Sequence, residues 1–388
     1  MGLLFNFDRI EKLTSLIKQY QNDREILFEL YIERAISYIY VGDKLSSLDD
    51  LNMALKIDDK NWEIYYTFGV FYLEFNEPRK AIENFQKSLS LNPKAYINYF
   101  GMANIYVSIE EYDNAINCYT NVLRKNRRHY PSYQQRAYCY AKKTFYNEAI
   151  KDIERAIKIK PKNPYLKFHK AEILLKMGKS YEAIEEYKKS IELSHDEIAD
   201  SHYGIAIAYA YLGDFENSIK EIYIAEELIE NSDGLVIPVN PYSYYETLKG
   251  AIYTAFNYRA KAYICFLNAQ QNYKDINFND FENVKSYILF CILNLLYLER
   301  FDEVEKLFNR CIELKYTPSI WFIYKAALLW MRDKDLNSTL KLIEEGLKNG
   351  YRFDYSIKTN LFDGYLFREI KTTDQFKKLL TKYHNQIL

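Results

Sequence analysis

Residues that turn a chain are scarce here: 12 glycines and 8 prolines among 388 residues, roughly half the usual share. Sheets of short strands need those residues at their hairpins, so the scarcity argues against an all-β fold. Charge of one sign is lacking as well. With 52 basic and 53 acidic residues the formal net charge is −1, and no overall field draws in nucleic acid or an anionic membrane. Cysteine is limited to Cys118, Cys139, Cys265, Cys291 and Cys311, an odd number with no CxxC pair. They read as small buried thiols in a reducing compartment. No apolar run approaches the length of a membrane span. The opening MGLLFNFDRIEKL has neither the basic stretch nor the long apolar stretch of a signal peptide, and Asn6 stands where myristoylation requires Ser or Thr. The expected location is the cytoplasm, without membrane insertion. No P-loop, GxSxG or HExxH is present, so no catalytic residue, metal ligand or cofactor is expected.

What the chain has is a period. Ala81, Ala115, Ala149 and Ala183 follow one another at steps of 34, each succeeded by an isoleucine. Phe85, Tyr119, Ile153 and Tyr187 keep the same step, as do Gly69, Ala103, Ala137 and Ala171. Within one copy, Ala81, Ile82, Phe85, Ser88 and Leu89 share one helical face, and Tyr65, Phe68, Gly69 and Tyr72 share another. Phe75–Asn76–Glu77–Pro78 lies between them as a turn. Each copy is thus a helix A, a turn and a helix B, with Gly69 and Ala81 allowing close approach and Phe85 and Tyr72 filling the space beside them.

A step of 34 with small, aromatic and proline columns resembles the tetratricopeptide repeat family. The family pattern maps onto Tyr65, Phe68, Gly69, Tyr72, Ala81, Phe85, Ser88 and Pro93, and again onto Tyr133, Ala137, Tyr140, Ala149, Ile153, Ala156 and Pro161. Arg127 and His195 depart from its closing proline. Weaker copies sit on Tyr31, Ala35, Tyr38, Leu51 and Ala54, on Ala206, Tyr209, Gly213, Ile222 and Ala225, on Gly250, Tyr253, Ala262, Phe266 and Ala269, and around Val304, Phe308 and Cys311 and around Ala327, Trp330, Ile343 and Gly346. The resemblance implies an all-α fold, a right-handed α-solenoid of about nine stacked helix-turn-helix units with helical caps. The expected organisation is a capping helix over 1–27, about six repeats over 28–230, a loop and possible hinge at 231–242, about three degenerate repeats over 243–350 and a helical cap over 351–388. Asp8 to Glu11 suggests a capping box opening the first helix, Gly350 a helix stop, and Thr373 the start of the last helix.

In that family helix A lines the concave face. Counting from Trp62, Tyr96, Tyr130, Pro164 and Ala199, position 5 holds Tyr66, Phe100, Gln134, Phe168 and Tyr203, and position 9 holds Val70, Asn104, Tyr138, Glu172 and Ile207. The resemblance implies a groove for an extended peptide or helix of a partner protein, with Tyr66, Phe100, Tyr138, Phe168 and Tyr203 as anchors and Asn104 and Glu172 setting register. The competing reading is that these rings only pack neighbouring A helices. The family's carboxylate clamp needs Lys at position 5, where rings stand here. The expected function is a non-catalytic scaffold or adaptor. A regulatory receptor closing on a small peptide, hinged at 231–242, is the alternative. The cluster of His195, Asp200 and His202 reads as a capped, solvated turn rather than a zinc site. Asp333–Lys334–Asp335 reads as a turn rather than a metal motif. The basic run 124–129 reads as a helix end suited to the dipole rather than a nucleic-acid contact.

Overall fold

A computed structural model describes residues 2–194, 199–231, 241–273, 281–354, 356 and 362–383. The described residues form helices and turns without strands. After α1 (Gly2–Gln19), nine A–B pairs follow in chain order: α2 (Arg24–Tyr40) and α3 (Lys44–Ile57), α4 (Trp62–Glu74) and α5 (Pro78–Leu91), α6 (Ile97–Ser108) and α7 (Tyr112–Lys125), α8 (Tyr130–Lys142) and α9 (Tyr146–Ile159), α10 (Pro164–Lys176) and α11 (Ser180–Leu193), α12 (Ala199–Leu212) and α13 (Phe215–Asn231), α14 (Pro241–Ala255) and α15 (Arg259–Tyr273), α16 (Phe281–Tyr297) and α17 (Phe301–Glu313), α18 (Ser319–Asp333) and α19 (Leu336–Lys348). Short α20 (Asp363–Leu366) and α21 (Asp374–Lys382) close the described chain. The fold is an all-α helical-repeat solenoid. It divides into two compact units, Met1–Tyr140 and Ala141–Leu388. Most of the 231–242 segment, the suggested hinge, lies outside the described residues, as does His195.

The small columns have a mechanical reason. In the first unit the ring of Phe85 on α5 is fully buried. It lies against Gly69 on its own A helix and Gly101 on the next: a Cβ at either glycine would stand 2.5 and 2.6 Å from that ring. In the second unit Tyr187 on α11 fills the same place against Gly204 of α12, and Phe266 on α15 against Gly250 of α14. One ring therefore closes two interfaces, its own hairpin and the next. Serines recur with the period too. Ser88 donates to the Trp62 carbonyl at 2.8 Å, and Ser190 to the Pro164 carbonyl at 2.9 Å. Each ties helix B to the first residue of its own helix A.

The A–B turns share a backbone device. Gly42, Asn76, Glu110, Thr144, Gly178, Gly213, Asn257, Glu299 and Lys334, one in each of the nine turns, have φ between 55° and 80°. Six are not glycine, and Thr144 is β-branched, the type least suited to left-handed backbone. Gly350 has φ 94° after α19, as a helix stop requires, and Thr373 caps α21 by accepting from Phe376 N–H at 3.3 Å. Lys334 and Asp335 form the last A–B turn, with Asp335 capping α19. One reading is corrected. α1 begins at Gly2 rather than at the Asp8 box, because no breaker interrupts residues 2–8. Asp200 lies in the first turn of α12 and accepts the Tyr245 hydroxyl at 2.7 Å; the turn before it, 195–198, lies outside the described residues.

Candidate docking faces

In the first unit, Tyr66 stands on α4 and Phe100 and Asn104 stand on α6, two A helices in contact. Tyr66 is half-buried, tilted on Phe85 with ring centroids 5.8 Å apart. Phe100 is half-buried between Tyr119, at 5.8 Å, and the edge of His129, at 5.1 Å. Burial pulls the His129 pKa down, which favours a neutral ring there. Asn104 Oδ1 accepts the Tyr119 hydroxyl at 2.7 Å. Burial holds the Tyr119 phenol well above its ordinary pKa, so it stays a donor. That bond orients the amide: Oδ1 faces the protein and Nδ2 is left to donate. Tyr138, on α8, keeps 43% of its surface exposed and sits edge-on to Tyr112 at 6.4 Å. These four side chains thus offer ring faces and an amide donor on three successive A helices.

The second unit treats its share of the strip differently. Phe168 lies edge-on to Tyr187 at 5.6 Å. Glu172 is half-buried and bonded to His169 at 2.9 Å. Tyr203 is only 3% exposed and stacks on Tyr245 at 3.7 Å. All three border one cavity of about 320 Å³. Its walls come from the A helices α10, α12, α14, α16 and α18, from Tyr187 of the B helix α11, and from Tyr351, Asp354, Ser356, Phe362 and Asp363 beyond the last hairpin. Lys176, at the end of α10, pairs with Asp354 at 3.1 Å. Tyr351 donates its hydroxyl to Asp363 at 2.5 Å. Lys176 holds the Asp354 carboxyl below its ordinary range against the cost of burial. Asp363 is pushed up to about 7, first by burial and then by Asp354.

The strip positions did not include Lys176 or Tyr211, which occupy position 13 of their A helices. Extending the columns one more helical turn reaches both, although Glu74, Ser108 and Lys142 in the same column share no chemistry with them. His202 is bonded to Glu221 at 2.6 Å. Among the described residues, no group of three or more His, Cys, Asp or Glu has the geometry of a metal site. None of their helices is long and apolar enough to cross a membrane. The five thiols are unbridged, four buried and Cys118 half-buried. Burial raises Cys139, Cys265 and Cys291 to about 12 and Cys118 and Cys311 to about 11, which leaves them poor nucleophiles at neutral pH.

Two family models match the chain: one described as tetratricopeptide repeat, over residues 63–95, and one described as anaphase-promoting complex, cyclosome, subunit 3, over residues 108–190. Among solved structures, a tetratricopeptide repeat protein from Parabacteroides merdae is similar at 22% identity, covering 67% of this chain and 98% of its own, with a TM-score of 0.52. The anaphase-promoting complex hetero-tetramer Cut9–Hcn1 is similar at 15% identity, covering 70% of this chain and 50% of the matched chain, with a TM-score of 0.50. At such identities the likeness is one of fold. No curated protein matches the chain.

Proposed function

Since this chain is a tetratricopeptide-repeat protein, we propose that it serves as a non-catalytic scaffold or adaptor that binds a peptide or helical segment of a partner protein on its A-helix face. Repeats of this kind are in general protein-interaction modules rather than catalysts. The observation that carries the reading is the first unit's face: half-buried Tyr66 and Phe100, exposed Tyr138 and the oriented Asn104 amide on successive A helices. Rings offer large apolar area at low entropic cost, and Asn104 Nδ2 can donate to a peptide carbonyl, fixing register. Each ring that becomes fully desolvated contributes about 2 kcal/mol. The five unbridged thiols support a reducing compartment, in keeping with a cytoplasmic location.

The test starts from peptides selected on the full chain from a display library. Their affinity is then measured for a Phe100→Ala/Tyr138→Ala chain whose helix content is unchanged. A loss of ten-fold or more is expected. Undiminished affinity would remove the strip from the reading.

A further inference from the structure

The second unit's inner face is shaped as a binding site and already has something in it. Five consecutive A helices turn Phe168, Lys176, Tyr203, Tyr211, Leu293 and Tyr324, among others, toward one cavity, and Tyr351, Asp354 and Ser356, which follow α19, border it too. These last residues do not continue the repeat. Asp354 meets an A helix through one charge pair, and Tyr351 borders the same cavity. Lys176 Nζ lies 3.1 Å from Asp354 Oδ2, and Ser356 N–H donates to the other carboxylate oxygen at 2.9 Å. Phe353, one residue earlier, is fully buried against Phe376 and Phe367, with centroids at 5.7 and 6.0 Å.

We propose that this face is a docking site for a short acidic–aromatic peptide segment, one carboxylate flanked by rings, and that Tyr351–Asp354 holds it as a built-in competitor. Charge complementarity sets the chemistry. The Lys176 ammonium borders the cavity, and its ion-pair carboxylate comes not from a repeat but from Asp354, beyond α19. Removing that carboxylate leaves the ammonium without its ion-pair partner at the cavity wall. A docking segment that brings a carboxylate of its own restores the pair. The pair is nonetheless reachable: 43% of the Lys176 side chain and 31% of the Asp354 side chain face the solvent of the cavity. An exchange of one carboxylate for another at Lys176 needs no rebuilding of the A helices. Nothing in this depends on the first unit's strip.

The probe is a fluorescein-labelled peptide of residues 348–356, KNGYRFDYS, titrated against the full chain by fluorescence anisotropy. The unaltered chain should bind it weakly, because Asp354 already holds Lys176. An Asp354→Ala chain should bind it at least ten-fold more tightly. Adding Lys176→Ala to that chain, or replacing the peptide's aspartate by asparagine, should abolish the gain. Equal affinity for the unaltered and Asp354→Ala chains would overturn the proposal, as would a gain that survives Lys176→Ala. Circular dichroism checks the fold. Should the alanine chain lose helix content, Asp354→Asn, which keeps the shape and removes the charge, decides the same comparison.

Discussion

The two units are built alike and end differently. Both set a B-helix ring against A-helix glycines, Phe85 on Gly69 and Gly101 in one and Tyr187 on Gly204 in the other. Both tie helix B to helix A through a serine, Ser88 or Ser190. Yet Tyr138 in the first unit is 43% exposed, whereas Tyr203 in the second is 3% exposed, beside a cavity also bordered by the chain's own Asp354 and Asp363. The repeat thus determines how helices stack, while the availability of an A-helix ring depends on what packs beside it, Tyr245 of the next A helix in the case of Tyr203. Stacking is a local, nearest-neighbour matter; occupation is a long-range one, with 178 residues separating Lys176 from Asp354.

The largest effect should come from the shared rings. Phe85→Ala and Tyr187→Ala each empty a buried socket and should cost about 3–5 kcal/mol. Hydrogen exchange read helix by helix is the suitable measure, since two units need not unfold together. Protection should fall in α4, α5 and α6 for the first variant and in α10, α11 and α12 for the second. A Phe85→Ala chain with unchanged exchange in α6 would break the likeness between the units, because that ring would then serve only its own hairpin.

Next comes acidity, which should act on the second unit through Asp363. Asp363 has its pKa raised to about 7, chiefly by burial and further by Asp354, while Tyr351 and Lys176 oppose the rise. A free aspartate titrates near about 3.9, so the folded chain keeps a proton that the unfolded chain releases. Stability is therefore lost as pH climbs from about 4 to about 7 and is level above that. Asp363→Asn should stabilise the second unit by roughly 1–4 kcal/mol at pH 8 and by almost nothing near pH 4. A urea midpoint series at the two pH values would show it. An equal gain at both would mean that Asp363 is ionised throughout.

Gly204→Ala should cost about 1–3 kcal/mol, because the new Cβ meets the buried Tyr187 ring. The gain in helix propensity, about 1 kcal/mol, does not offset it. Combining it with Tyr187→Leu should recover part of the loss in thermal unfolding, and failure to do so would separate the glycine from the ring. The smallest effect sits in a turn. Thr144→Gly should raise stability by about 1 kcal/mol by relieving left-handed backbone at a β-branched residue. Gly178→Ala, the same turn position one repeat on, should lower it by a similar amount.

Much of this was legible in the residues. The steps of 34 at Gly69, Ala81 and Phe85 are visible because a socket tolerates few side chains, and nine hairpins follow from them. The Asp8 box does not mark the start of α1, because a capping box is a local motif and the apolar residues before Asp8 extend a helix equally well. Thr144 gave no sign of its φ, since a turn closed by its neighbours imposes a backbone that the residue itself disfavours. Placement of the seven strip residues came from the columns. Their surroundings did not: a segment that fills a groove has no period, and nothing local in Tyr351–Asp354 marks Lys176 as its counterpart.

The ring that belongs to two hairpins also bears on how such a gene can lengthen or shorten. Phe85 needs Gly69 before it and Gly101 after it, 32 positions apart. Cutting out 34 residues rejoins one half-socket to another of the same kind, whereas a cut of ten or twenty leaves a ring facing the wrong side of a helix. From Gly42 to Gly178 the A–B turn residues accordingly keep a step of 34, whereas from Gly178 to Lys334 they step by 35, 44, 42 and 35; Phe266 nonetheless follows Gly250 by the same 16 positions that separate Phe85 from Gly69, so length is added between sockets and not within them.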